Sequence, residues 1–288
     1  MRYLLSLLIL ALHLQAYLVN ITDDTITNGR STLLEFTKES DIEYKSVEFD
    51  GKEFRIFPNP VKKDRLYALI PVSYYDKAAL KELKIHYKKD GKKIEETLFL
   101  RVIDGGYEKE SINVDSSKVN PKSPEVKKRI SKEYHRAMKI YHTVTPQSYI
   151  KKPFIMPMES KITSDFGRAR LYNGALKGYH SGTDFRAKVG TPICAVNDGV
   201  VALVANRFYS GGTVLINHGQ GLYTCYFHMS RFDVKEGDFV KRGELLGLSG
   251  KSGRVTGPHL HFSARIDGVQ VDPLQLISLL NNNLLKEK

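Results

Sequence analysis

Short runs rich in Val, Ile, Phe, Tyr and Leu, alternating with polar residues and broken by glycine or Asp-Gly pairs, recur along most of this chain. A period of two puts successive side chains on opposite faces of a strand, and Asp-Gly pairs favour the tight turns that join antiparallel neighbours. The pattern therefore predicts a mainly β protein. Across residues 17–112 the runs 31–36, 45–49, 53–57, 66–72, 83–87 and 94–102, with turns at Asp50-Gly51 and Asp90-Gly91, predict a small immunoglobulin-like β-sandwich with no catalytic cluster. From residue 153 to 288, glycine punctuates almost every short β-branched segment, as expected for a second, compact antiparallel β domain.

Residues 113–152 read differently. Ser, Asn, Asp, Lys and Pro dominate 113–121, and Ser123-Pro124-Glu125 then has the signature of a helix start. Val126, Ile130, Tyr134, Met138 and Tyr141 follow at helical spacing with basic residues between them, so a connecting amphipathic helix is expected to pack between the two β domains. Its apolar stripe is rich in Tyr and short of Leu, Phe and Trp, which disfavours a membrane-surface helix. His135 and His142 on this helix have no acidic or Cys neighbour and read as structural. Pro273 opens a second short helix, with a polar, frayed tail expected over 281–288.

Of the 288 residues, 41% are hydrophobic and 26% charged, which excludes disorder as the main state. The net charge of +12 fits an acidic partner, yet the basic residues are spread along the chain and form no arm interleaved with aromatics, so nucleic acid is not expected. Arg2 and the uncharged run Leu4 to Leu12, broken only by Ser6, resemble a signal peptide over residues 1–16 with cleavage after Ala16. The run is too short for a membrane span, which needs about 20 apolar residues. The remainder is expected to be exported, with no stable span after cleavage. Cys194 and Cys225 are too few for a disulfide framework and are read as unpaired small hydrophobes rather than a bridge.

Five of the nine histidines, His180, His218, His228, His259 and His261, fall in the last domain. On a strand, His259 and His261 would share a face while Leu260 points to the core. His180 and Asp184 are candidate partners, provided that the backbone bends between them, which Gly182 permits. A His, His, carboxylate set suits zinc and leaves a fourth position for water, the mark of a catalytic rather than a closed site. Zinc would make a hydroxide nucleophile available at neutral pH and polarise a carbonyl, so amide hydrolysis fits. No His-Glu-x-x-His helix is present, and His228 and His259 are the candidate bases.

The segments His180-x-x-x-Asp184, Tyr226-Phe227-His228-Met229-Ser230 and Thr256-Gly257-Pro258-His259-Leu260-His261-Phe262 resemble the M23 family of zinc metallopeptidases, of the LytM or lysostaphin type. Ser164-Asp165-Phe166-Gly167-Arg168, Gly190-Thr191-Pro192 and Gly212 to Gly219 support the resemblance, which covers most of residues 153–274. It implies that His180, Asp184 and His261 bind Zn2+, and that His228 and His259 act at the transition state as base or oxyanion stabiliser. His218 matches a position that is not a ligand. Ser263, where the family often has Glu, is a minor departure. Arg170 and Asn173 precede the first ligand and are expected to shape the substrate groove, so Asn173→Ala should reduce turnover without loss of zinc.

The resemblance further implies action on peptidoglycan peptide stems and cross-links. An exported chain without a wall-binding repeat points to a Gram-negative periplasm and to D-alanyl to diaminopimelate bonds; trimming of a terminal D-Ala would be the same D,D cleavage. The alternative is a self-inhibited enzyme, or a non-enzymatic regulator of another wall hydrolase. A lipoyl-type carrier, suggested by the hairpins of 234–247, lacks the exposed Met-Lys pair.

Overall fold

The computed structural model describes residues 19–114, 116–119, 121–174 and 176–286; the expected signal peptide lies outside them. The chain is mainly β, as its alternation predicts. In the N-terminal part, one sheet orders the strands Val19–Ile21, Ser31–Thr37, Arg65–Pro71 and Phe57–Pro58. A second orders Thr25–Thr27, Lys92–Ile103, Ala79–Lys89, Ile42–Phe49 and Lys52–Arg55. Leu34, Phe36 and Ile70 from the first sheet and Val47, Leu83, Ile85 and Leu100 from the second share one core. Both Asp-Gly pairs close two-residue hairpins, Phe49 facing Lys52 and Lys89 facing Lys92. All four turn residues have positive φ, 52° and 72° in the first turn and 50° and 76° in the second.

The first sheet has a second buried face. Leu33, Tyr67 and Leu69 alternate with the residues above and belong to the core of the C-terminal part, together with Leu222, Ile266 and Leu284. The Tyr67 hydroxyl donates to Gln220 Oε1, and the Asp272 amide donates to the Gly29 carbonyl at 2.7 Å. The two β regions are therefore welded through a common core.

The C-terminal part is built on an eight-stranded sheet whose centre runs Thr183–Arg186, His259–Ile266, Leu222–Met229, Gly211–Gly219, Gly199–Arg207. Helix α1, Pro124–Tyr141, starts where Ser123 accepts from the Val126 amide and lays Ala137 and Tyr141 on Leu203, Leu215, Tyr223, Cys225 and Phe227 of this sheet. Tyr134, on the expected buried stripe, is 56% exposed, so the buried face is narrower than its spacing predicts.

Two expectations are corrected. The tail after α2, Pro273–Leu279, is not frayed over its described part. The Asn281 side chain bonds both the amide and the carbonyl of Phe154, and Leu284 and Leu285 are buried. The strand Lys109–Ile112, at the end of the expected sandwich, pairs instead in parallel with Ala169–Tyr172 of the C-terminal part. Cys194 and Cys225 are both free.

Candidate active site

Strand register assembles the site. Asp184 on Thr183–Arg186 lies directly opposite His261 on His259–Ile266, and Phe227 on the other neighbouring strand lies opposite His261 as well. His180 sits just before the first of these strands and is swung over it, so His180 Nε2, His261 Nδ1 and Asp184 Oδ1 stand 2.8–2.9 Å apart. All three side chains are buried. The bend between His180 and Asp184 does not use left-handed backbone at Gly182, as its absence among the positive-φ glycines shows. Glycine serves there for space: a Cβ would lie 2.3 Å from the Phe262 carbonyl and 2.7 Å from His261 Nε2.

His180 Nδ1 lies 2.7 Å from the Asp165 carbonyl, which can only accept, so Nδ1 carries a hydrogen and Nε2 is the ring atom turned toward the cluster. Burial pushes the His261 pKa down to about 4. Burial works to raise Asp184, but hydrogen bonds from the two imidazoles and their charge outweigh it and hold the carboxyl well below the usual carboxylate range. Two imidazole nitrogens and one carboxylate oxygen thus converge within 2.8–2.9 Å of one another, the donor set that a divalent zinc ion takes.

His228 and His259 flank the cluster, with ring centroids 4.8 Å apart. His228 has φ 63°, left-handed backbone unusual for a non-glycine residue, held by its amide donating to Ser210 and its Nδ1 donating to the Ser252 carbonyl at 2.8 Å. His259 Nδ1 donates to the Gly257 carbonyl at 2.9 Å, and its Nε2 lies 3.6 Å from Asp184 Oδ1. In both rings the hydrogen is committed to Nδ1, so Nε2 is the basic atom. Burial pushes the His228 pKa well down, with the neighbouring His259 and His261 acting the same way. His218 stands apart, with its Nδ1 donating to the Asp198 carbonyl and its Nε2 beside the Thr224 hydroxyl, both at 2.7 Å.

Arg170 bonds Glu110 at 3.2 Å, Ser164 at 3.2 Å and the far oxygen of Asp184 at 3.4 Å. Asn173 lies off the cleft wall; its amide donates to the Val114 carbonyl and accepts from the Val114 amide. Both residues therefore engage the segment 110–114, which forms one wall of a cleft of about 400 Å³ whose other walls include Asp184, His228, His259 and His261. Sequence reasoning missed this segment because no local motif ties Glu110 to strands sixty residues later. It missed Arg254 too, which stacks on Tyr172 and Tyr209 at 4.2 and 4.6 Å.

Residues 178–273 match the family described as Peptidase family M23. Over 122 residues, 41% of this chain, the sequence is 43% identical to the peptidoglycan DD-endopeptidase ShyA of Vibrio cholerae serotype O1, and covers 28% of that protein. Over 97 residues, 34% of this chain, it is 43% identical to the DD-carboxypeptidase/endopeptidase Mpg of Neisseria meningitidis serogroup B, and covers 22% of it. The chain thus matches about a quarter of the length of these curated relatives. A crystal structure from Pseudomonas aeruginosa assigned to peptidase M23 superposes with a TM-score of 0.66 at 25% identity, covering 87% of this chain and 94% of that one.

Proposed function

Because the chain carries a peptidase M23 domain across residues 178–273, we propose that it is a zinc-dependent peptidoglycan hydrolase cleaving D,D peptide bonds, D-alanyl to diaminopimelate, in the cross-links of a Gram-negative wall. The observation that carries this reading is the convergence of His180, Asp184 and His261 beside a cleft flanked by two further histidines. Relatives named for DD-endopeptidase and DD-carboxypeptidase activity support the bond type, including trimming of a terminal D-Ala. Such a substrate fits a periplasmic enzyme; among the described residues no helix is long and apolar enough to cross a membrane.

His180, Asp184 and His261 would hold the zinc, which when bound acidifies a coordinated water to a pKa of about 7 and polarises a carbonyl. His228 and His259 do the proton work: each has its Nδ1 hydrogen pinned to a backbone carbonyl, so each presents a fixed Nε2 to the cleft. One of the two acts as base, its Nε2 taking the proton of the attacking water and returning it to the leaving amine, and the other serves as oxyanion stabiliser. Arg170 holds the second oxygen of Asp184 and so orients that carboxylate.

A muropeptide digest tests the reading. Purified protein with zinc is incubated with diaminopimelate-type sacculi beside a His261→Ala control. Loss of cross-linked dimers with the intact protein alone is the expected result, and loss of pentapeptide monomers adds carboxypeptidase action. No change in either sample, with zinc bound, would sink the active-enzyme reading. The second reading, a self-inhibited enzyme, is favoured by one observation: the chain's own residues 110–114 line the cleft, with Glu110 on Arg170.

A further inference from the structure

Beside the metal cluster, under α1, lies a second hollow of about 240 Å³ that shares His228 and His261 with the catalytic cleft and is lined by His180 as well. Four arginines line it, Arg170, Arg207, Arg254 and Arg265, and among the described residues no Asp or Glu does. Two of the four are spoken for. Arg170 bonds Glu110 and Asp184, and Arg265 donates to the Gly268 carbonyl and to Gln270 while lying over the Tyr141 ring. The other two are less committed. Arg207 Nη2 donates to the Glu133 carbonyl at 3.5 Å, but its Nε is buried with no hydrogen-bond partner among the described residues. Arg254 has, among the described residues, no carboxylate partner for its guanidinium, which is clamped between the rings of Tyr172 and Tyr209 on the wall shared by both spaces.

We propose that Arg254 is the receptor for a carboxylate of the substrate stem peptide, with Arg207 as a second donor deeper in the hollow, so that this hollow selects stems bearing a free acid close to the bond to be cut. The ring clamp fixes the guanidinium plane but occupies only its faces; the N–H edge stays free, the geometry that recognises a carboxylate through paired bonds. A hollow with several cations, apolar ring walls and no acid concentrates positive potential, which draws in an anion and strengthens its bonds. The buried, unpartnered Arg207 Nε is explained by the same missing acceptor. The identity of the ligand as a stem peptide rests on the function proposed above; the demand for a carboxylate rests on the hollow itself.

Binding of isolated stem tetrapeptide to the full-length, zinc-loaded protein, followed by calorimetry, separates the two. Four stems are compared, one with its three carboxyls free and one each with the D-Glu α-carboxyl, the diaminopimelate side-chain carboxyl or the terminal D-Ala carboxyl amidated. For the wild type, one of the three amidations is expected to weaken binding by roughly tenfold to a hundredfold, and that one identifies the carboxylate. Arg254→Gln should weaken binding of the free stem by a similar factor, remain unaffected by that amidation, and keep its zinc and its thermal melt. Binding by the wild type that is indifferent to all three amidations overturns the proposal, as does equal affinity of wild type and variant, and so does failure of the full chain to bind any stem. The wild-type comparison needs no variant to fold. Arg254-dependent binding without any hydrolysis would leave this site standing while the proposed reaction fell, and hydrolysis that ignores all three carboxyls would do the reverse.

Discussion

Gly182 shows how tightly single residues are held in this site. A methyl group there would overlap the Phe262 carbonyl and the His261 ring, both fixed by a central strand, so Gly182→Ala should displace His261. The expected outcome is a folded protein by circular dichroism whose zinc content falls well below that of the wild type; full zinc occupancy would show that the strand can yield. His228→Ala and His259→Ala should behave in the opposite way, keeping zinc while losing turnover by roughly a hundredfold or more, the usual worth of a positioned acid or base. His218 carries a stability prediction. Burial lowers its pKa from 6.5 to about 4, so between those values the unfolded chain binds a proton that the folded one refuses. Stability is untouched by this group above pH 6.5 and falls as pH drops toward 4. In urea unfolding, the loss between pH 7.5 and pH 4.5 should be larger in the wild type than in His218→Gln by roughly 2 kcal/mol. Equal losses would place the acid sensitivity elsewhere.

At the scale of elements, the strand Lys109–Ile112 matters most, because it belongs to the chain's first half by sequence and to the cleft by contact. Its attachment is modest: a short parallel ladder, the pairs Glu108–Arg168 and Glu110–Arg170 at 3.1 and 3.2 Å, and the Asn173 clasp on Val114. Partly exposed ion pairs contribute about 0–1 kcal/mol each, so loosening this wall costs little. If the wall restrains the enzyme, Asn173→Ala should raise kcat/KM on cross-linked substrate severalfold with little change in melting temperature. A fall in turnover with zinc retained would instead return Asn173 to the substrate groove. Helix α1 has a different part: its buried Ala137 and Tyr141 fix it to the sheet, while Tyr134 and Met138 roof the arginine-lined hollow.

For the whole molecule, the shared core decides which pieces can be separated. Leu33, Tyr67 and Leu69 pack into the same cluster as the strands that carry the site, and Ser31 and Gln275 exchange hydrogen bonds across the join. Removing residues 19–112 would expose this apolar face and strip Gln220 of its Tyr67 partner. Burial of each large side chain is worth roughly 1.5–3 kcal/mol, so the truncated protein should melt at a markedly lower temperature and aggregate, even with the metal cluster intact in sequence. An unchanged melting temperature would show that the two regions fold independently. Point variants in the 110–114 wall are therefore the cleaner test of self-inhibition.

Much of the cluster was legible in the chain itself. Alternation sets His259 and His261 on one face and Leu260, fully buried, on the other, and the two Asp-Gly turns sit where two-residue hairpins form. These are local properties, dictated by backbone period and by the φ that each residue tolerates. What only the tertiary structure decided is long-range. Leu284 and Leu285, in a tail that reads as polar, fill a core reached by no local pattern. Glu110 meets Arg170, and Arg254 is left between two tyrosines with no acid among the described residues, because strand order and packing bring together segments whose separation in sequence carries no signal of their contact.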